Sequence, residues 1–148
     1  MRLTDHFTLS EFTRSAVAAL RGINNIPGDE QLVNIRKMAH QMEHVRYLLG
    51  GKPILISSGF RSAELNKVIG GSITSSHSDG LAVDFTCPQF GCAKEVCMAL
   101  KTGTLRFDQV IYEQGRTNWC HLGFGEQMRR EVLSWRSSKG YVFGIVDL

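Results

Sequence analysis

The fold is decided by one stretch, Ser75-Ser76-His77-Ser78-Asp79-Gly80-Leu81-Ala82-Val83-Asp84, in which a polar loop leads into a short apolar strand. In its second half, Leu81, Val83 and Phe85 alternate with Ala82 and Asp84. A period of two predicts a half-buried strand with Ala82 and Asp84 on one face. Because an isolated buried carboxylate is costly, the pattern also predicts a cation or metal beside Asp84.

His77 and His121 are the predicted partners of Asp84. His77 lies seven residues before Asp84, and His121 lies in a second strand-like run at residues 118–124. Two imidazoles and one carboxylate would bind Zn²⁺ and leave its fourth position open to water, which is typical of catalytic rather than structural zinc. The spacing of His77 and Asp84 alone is weak support, since such pairs occur by chance.

Further motifs surround these residues. They are Ser-x-His-x-x-Gly-x-Ala-x-Asp at 75–84, Ser-Gly-Phe-Arg-Ser at 58–62, Asn66, Gly70-Gly71, Trp-x-His at 119–121 and His-Phe-Thr-Leu-Ser-Glu-Phe at 6–12. Together they resemble the zinc D-Ala-D-Ala carboxypeptidase family. That family includes bacteriophage endolysin peptidases and shares its zinc-site architecture with the signalling domain of hedgehog proteins. The resemblance covers most of the chain.

The resemblance implies an activity. A member of this family would be a zinc peptidase that hydrolyses the stem peptide of bacterial peptidoglycan, as an L-Ala-D-Glu endopeptidase or a D-Ala-D-Ala carboxypeptidase. An endolysin-like enzyme would be made in the cytoplasm of a host cell and act on its wall. Two rivals stay open, an inactive zinc-containing binding or virion protein and a cytoplasmic D-Ala-D-Ala dipeptidase.

The proton-transferring residue is the main departure from the family. Its members usually carry an acidic residue three positions before the final His ligand, and here that position is Asn118. The nearest substitute is Glu113. If residues 114–118 form a five-residue hairpin loop, Glu113 pairs with Trp119 and Ile111 with His121, so Glu113 shares the face of His121. A four-residue loop would pair Glu113 with Asn118 and turn it away, and we predict the first register.

Several other residues are predicted to assist. Arg61 is either a surface ion-pair partner or a planar fork for a carboxylate, and the resemblance favours a substrate or oxyanion anchor. Ser75, Gln109 and Asp108 are candidates for hydrogen bonds to the metal ligands. Trp119 is a candidate for stacking on substrate, although packing is the commoner role for such a residue.

A competing metallopeptidase motif lies in the predicted helix at residues 29–49. Its sequence His40-Gln41-Met42-Glu43-His44 matches His-x-x-Glu-His. At 100° per residue, however, both histidines lie opposite the apolar stripe of this helix and point toward water. We therefore interpret this match as a solvated helix face.

Composition predicts one domain, residues 1–148, with a single core. The net charge of +3 without a basic run indicates no nucleic-acid footprint. We expect a monomer without a membrane segment or secretory signal, synthesised in the cytoplasm. The cysteines Cys87, Cys92, Cys97 and Cys120 are accordingly predicted to be buried free thiols.

The remaining pattern predicts an α+β domain. Helices are expected at residues 15–21, 29–49, 63–69 and 91–101, and strands at 52–58, 81–85, 107–113 and around His121. The tail, residues 131–135 and 141–146, predicts a closing pair of strands, with a helix as the rival for the first. Helices flanking hairpin-linked strands indicate an antiparallel sheet that carries the zinc site.

Overall fold

The computed structural model describes all 148 residues, which form five helices and six strands. The helices are α1 (Leu9–Thr13), α2 (Ala16–Arg21), α3 (Asp29–Leu48), α4 (Ala63–Ile69) and α5 (Ala93–Thr102). The strands are β1 (Leu55–Ser58), β2 (Ala82–Thr86), β3 (Gln109–Gln114), β4 (Asn118–Gly123), β5 (Glu131–Arg136) and β6 (Gly140–Phe143). Every predicted helix and strand is present.

The two largest boundary errors have local causes. β1 begins at Leu55 rather than at Lys52. The intervening Pro53 has no N–H group to donate to a sheet. β6 ends at Phe143 rather than at Val146, because Gly144 adopts a positive φ of 85° that takes the chain out of the extended conformation.

The strands form one sheet in the order β1-β2-β4-β3-β5-β6. All neighbouring strands are antiparallel except β3 and β5, which are parallel. The predicted α+β class is confirmed, whereas a wholly antiparallel sheet is wrong. The parallel pair arises because the chain leaves β4 and crosses to the far side of β3 before β5 begins.

The hydrophobic core lies between the helices and one face of the sheet. Side chains of α3 and α5 join alternate strand residues in one buried cluster, to which the central strands contribute Val83, Phe85, Val110, Cys120 and Leu122. Burial of each large apolar side chain stabilises the fold by about 2 kcal/mol. The residues between them in sequence, including Asp84 and His121, are consequently directed to the opposite face, which we call the site face.

The cysteines are free, but the prediction that all four are buried is wrong for one of them. Cys87, Cys97 and Cys120 are buried, whereas Cys92 is exposed. Cys92 is the residue before the first turn of α5, and its N–H group donates to the Glu95 carboxylate at 3.3 Å. Cys92 therefore lies at the N-cap, outside the first helical turn. The apolar periodicity of α5 applies only to its helical residues and does not predict burial at the cap.

The His-x-x-Glu-His motif of α3 does not form a site. His40 and His44 are both exposed, on the side of the helix away from its buried residues. Glu43 instead accepts hydrogen bonds from the backbone and ring of His6, each at 2.8 Å. The interpretation as a solvated face is confirmed.

Gly59, directly after β1, lies against the backbone of Phe12 in α1. A Cβ atom at this position would clash with the carbonyl oxygen of Phe12, which already accepts the N–H of Phe60 at 2.6 Å. We expect Gly59→Ala to lower the free energy of unfolding by about 1–3 kcal/mol, because backbone on both sides must shift. Urea denaturation would measure the loss.

The matched control for that substitution is Gly115→Ala in the β3–β4 hairpin. A Cβ atom at Gly115 would lie 3.6 Å from its nearest neighbour, the carbonyl oxygen of Thr117, which is an ordinary contact distance. We expect a change within about 0.5 kcal/mol there. Equal effects at both positions would show that the close approach at Gly59 is not what constrains it.

Candidate metal centre

Three elements bring the predicted ligands together on the site face. Asp84 on β2 lies directly opposite His121 on β4 in the antiparallel register. Paired residues share a face and have Cβ atoms about 5 Å apart. His77 is supplied by the loop that precedes β2, and all three residues are buried. The sequence therefore identified a group that the fold assembles from distant parts of the chain.

The donor atoms of the three residues lie close together. Asp84 Oδ1 is 2.9 Å from His121 Nδ1 and 3.4 Å from His77 Nε2. One ligand atom from each residue lies within 4.8 Å of the other two. A tetrahedral zinc ion with bonds of about 2.0–2.2 Å has ligand-to-ligand edges of about 3.3–3.6 Å. The nitrogen and oxygen donors fit such an ion, and the 3.4 Å separation lies within these edges. The 2.9 Å separation is a hydrogen-bond distance, so binding of an ion would move Asp84 Oδ1 and His121 Nδ1 apart by at least about 0.4 Å.

A backbone carbonyl fixes the His77 ring. Its Nδ1 lies 2.7 Å from the carbonyl oxygen of Gly59. Because a carbonyl can only accept, Nδ1 carries the proton, and Nε2 is left as the donor atom facing Asp84. Histidine ligands of metals are commonly oriented by such a bond. No side-chain pattern in the sequence indicates this contact, because it uses main-chain atoms of a glycine.

The electrostatics keep the Asp84 carboxylate ionised. Burial alone would raise its pKa, but the neighbouring His77 and His121 rings outweigh burial and hold that pKa well below its usual range. Burial lowers the pKa of His121, whereas the hydrogen bond and charge of Asp84 raise it, with a net rise. An ionised carboxylate is the form that binds a metal.

Glu113 lies beside this group. The observed register pairs Glu113 with Trp119 and Ile111 with His121, as predicted, although Gln114 and Asn118 also pair, so the loop proper is residues 115–117. Glu113 Oε1 lies 3.9 Å from His121 Nδ1. Burial, followed by the charge of Asp84, raises the pKa of Glu113 to about 7 against the opposing effects of His121 and Arg61.

Asn118 points away from the metal ligands. It lies an odd number of residues from His121 and therefore on the opposite face of the sheet. Its amide nitrogen donates to the hydroxyl of Tyr112 at 3.3 Å, and its amide oxygen accepts the N–H of Gly115 at 3.3 Å. In this register a carboxylate at position 118 would not reach the site.

Arg61 also reaches the site, and its side chain is only 15% exposed. Its Nη2 lies 3.5 Å from Asp84 Oδ2, whereas the histidine nitrogens lie closest to the other carboxylate oxygen, Oδ1. Nε donates to Ser58 Oγ at 3.2 Å, and Nη1 lies 3.4 Å from Asn66 Oδ1. The fork thus holds a carboxylate of the protein itself, so a surface ion pair is wrong, and its role as a substrate anchor stays a prediction.

Ser75, Gln109 and Trp119, which were predicted to assist at the site, do not hydrogen-bond the side chains of the metal ligands. Ser75 Oγ accepts the backbone N–H of His77 at 3.3 Å and makes no bond to its ring. Gln109 is on the site face but donates to Glu131 Oε1 at 2.7 Å. Trp119 is half-buried on the site face, and its buried indole N–H has no acceptor within the protein.

Asp108 is not a partner of the metal ligands either. Its carboxylate accepts the Nε and Nη2 groups of Arg129, each at 2.9 Å, and also the backbone N–H of that residue at 2.9 Å. The prediction failed because an Asp that precedes a strand offers no sequence signal for an arginine 21 residues later.

This ion pair predicts an acid-dependent contribution to stability. The hydrogen bonds from Arg129 hold the pKa of Asp108 below its usual value. A lowered pKa stabilises the folded state above the unfolded-state value of about 3.9, and the contribution is lost as pH falls below it. We expect Arg129→Ala to cost about 1 kcal/mol at pH 7 and progressively less in acid, measured by urea denaturation across pH.

Arg116→Ala is the control for the Arg129 substitution, because Arg116 is exposed in the hairpin loop. It should change stability little at any pH. A cost of Arg129→Ala that is the same at pH 7 and at pH 2.5 would contradict the assigned role of the ion pair.

Comparison with known proteins agrees with the geometry. A search of curated proteins found no match. No helix of the chain combines the length and apolar character needed to cross a bilayer. The family model described as Peptidase M15 matches residues 5–123, a span that contains His77, Asp84, His121, Glu113 and Arg61 and ends with β4. The chain therefore belongs to the peptidase M15 family, the family of the zinc D-Ala-D-Ala carboxypeptidases.

Proposed function

We propose that this protein is a zinc-dependent peptidase that hydrolyses the stem peptide of bacterial peptidoglycan. Membership of the peptidase M15 family supports the peptidase chemistry. The observation that carries the proposal is the convergence of three donor atoms beside a half-buried carboxylate, Glu113. In this proposal the bond cut is either L-Ala-D-Glu or D-Ala-D-Ala. We also propose that the sheet and its zinc ligands are of the type shared by D-Ala-D-Ala peptidases and hedgehog proteins.

In this proposal each residue has a distinct task. His77 Nε2, Asp84 and His121 Nδ1 would hold the zinc ion, which would take the place of the proton that His121 Nδ1 shares with Asp84. The ion would supply Lewis-acid activation of water and of the scissile carbonyl. Glu113 accepts a proton from the attacking water and donates it to the leaving amine. Arg61 holds Asp84 in position through Nη2, and its remaining N–H groups bind substrate oxygen.

Asn118 no longer favours the inactive alternative. Its identity suggested a missing base, but the side chain at position 118 lies on the core face, while Glu113 occupies the site face. A carboxylate is therefore present where the proposal needs one. We also propose an endolysin-like role, with a monomer made in the cytoplasm of a host cell that reaches the wall when the membrane is breached.

One digestion tests the activity and the bond together. The zinc-loaded protein would be incubated with purified peptidoglycan and with free D-Ala-D-Ala, and new amino termini would be identified by mass spectrometry. We expect cleavage of the wall peptide and none after chelation of the metal. Splitting of D-Ala-D-Ala alone would support the dipeptidase. The absence of any product over long incubation would refute the enzyme.

A further inference from the structure

A row of aromatic side chains continues the site face beyond Glu113 toward the edge of the sheet. Glu113 on β3 pairs with Trp119 on one side and with Trp135 of β5 on the other, and Trp135 pairs with Tyr141 of β6. The adjacent row runs from His121 through Ile111 and Leu133 to Phe143. We define the aromatic platform as Trp135, Tyr141 and Phe143.

The platform is largely exposed, and hydration of its apolar ring surface is unfavourable in free energy. Tyr141 is 63% and Phe143 is 83% exposed, and the rings of Trp135 and Tyr141 are in tilted contact with centroids 6.3 Å apart. An edge strand with large aromatic side chains invites association, and natural edges usually carry charged residues instead. The location of these rings on the face that carries the candidate site favours a role in binding.

Polar groups adjoin the platform at the side of the site. Tyr141 ends in a hydroxyl group, which can donate or accept a hydrogen bond at the edge of the platform. Gln109 holds Glu131 beside the same face. Flat rings flanked by donors and acceptors suit a ligand with apolar C–H faces and a polar rim, which is the chemistry of a pyranose ring.

Distances along the substrate decide which peptide bond can lie beside Glu113 while the sugar lies on the platform. Neighbouring strands lie about 4.8 Å apart, so the backbones of Trp135 and Tyr141 lie about 5 and 10 Å from that of Glu113. In peptidoglycan the lactyl group of N-acetylmuramic acid forms an amide bond with L-Ala, the first residue of the stem peptide. At about 3.5 Å per residue, and with the lactyl group counted as one residue, a cut after L-Ala leaves the sugar about 7 Å from the reacting bond. A D-Ala-D-Ala bond lies at least three residues, or about 10 Å, farther away.

We propose that the aromatic platform binds the sugar ring that carries the stem peptide, and that the enzyme therefore cuts the L-Ala-D-Glu bond next to the glycan. This inference rests on the proposed function and deepens it. The platform belongs to β5 and β6, which lie beyond the residues matched by the Peptidase M15 model. It is contiguous with Glu113 through the Trp135 pairing, so one substrate can span both.

Binding of sugar alone provides the first test. The probe is a peptide-free oligosaccharide of N-acetylglucosamine and N-acetylmuramic acid, titrated into the zinc-loaded protein by calorimetry and followed by tryptophan fluorescence. We expect saturable binding that Tyr141→Ala and Phe143→Ala each weaken about tenfold. Tyr141→Phe should retain most of the affinity. The control Tyr47→Ala removes a 79% exposed tyrosine from α3 and should change nothing.

Two substrates then separate this inference from the proposed function. One is the disaccharide-linked stem peptide and the other is the same peptide with an acetyl group in place of the sugar. We expect Tyr141→Ala and Phe143→Ala to raise KM about tenfold for the first substrate only, with kcat within about twofold. Cleavage of neither substrate by the unaltered protein would refute the proposed function, whatever the binding result.

Three results would overturn the proposal that the aromatic platform binds this sugar. The oligosaccharide could fail to bind, both substrates could respond equally to the substitutions, or sedimentation could show a dimer that Tyr141→Ala dissociates. The last result would assign the aromatic rings to an interface between two copies of the chain. Normal circular dichroism of each variant would exclude misfolding as the cause, since both side chains are exposed.

Discussion

Glu113→Gln is expected to lower turnover about 100-fold or more while leaving zinc affinity nearly unchanged. The amide keeps the size and the position of the side chain opposite Trp119, but it cannot accept a proton from water. Glu113 lies within 3.9 Å of His121, which places its carboxylate beside the reacting atoms without making it one of the three closest donors. Steady-state cleavage of the wall peptide and a competition titration with a chromogenic chelator measure the two quantities.

The control for this substitution is Glu64→Gln, which removes an exposed carboxylate from α4. Its turnover should match that of the unaltered protein. Near-normal turnover of Glu113→Gln would remove Glu113 from the mechanism. A parallel loss of zinc would instead mean that Glu113 holds the metal.

A second substitution examines the face on which the base must lie. Adding Asn118→Asp to Glu113→Gln should fail to restore turnover, because position 118 faces Tyr112 and the core side of the sheet. Rescue by this aspartate would show that the hairpin register in solution differs from the observed one.

The ligands were predictable because two-residue periodicity fixes which side chains share a face. That rule placed Asp84 and Ala82 together, and the hairpin length placed Glu113 with His121. Loop residue His77 has no such period. Its assignment depended on the cost of burying Asp84 alone and on the resemblance to a known family, and the structure confirms that its ring lies beside Asp84.

What the sequence could not predict involves long-range partners and main-chain atoms. The parallel pairing of β3 with β5 depends on the path taken after β4, which no local pattern specifies. The carbonyl of Gly59 that orients His77 has no side-chain signature. Asp108 was expected to hydrogen-bond a metal ligand, yet its partner is Arg129, which lies in the crossover between β4 and β5.

Removal of the central ligand should have the largest effect on the metal. We expect Asp84→Asn to weaken zinc binding by more than about 100-fold, a loss greater than that usually caused by replacing a residue that only orients a ligand. Asp84 Oδ1 is the atom closest to both donor nitrogens, at 2.9 and 3.4 Å, so the amide would present a neutral and weaker donor at the centre of the group. Zinc content after dialysis and chelator competition would measure the change.

The matched control is Asp79→Asn, an exposed aspartate on the loop that carries His77. It should retain one zinc ion per chain and the rise in melting temperature that a ligand of the folded state produces. Asp84→Asn should lose that zinc-induced rise even where its metal-free form is folded by circular dichroism. If Asp84→Asn kept both the zinc and the thermal shift, Asp84 would serve only as the ion-pair partner of Arg61 and the two histidines, and the donor atoms of the metal would have to be sought elsewhere on the site face.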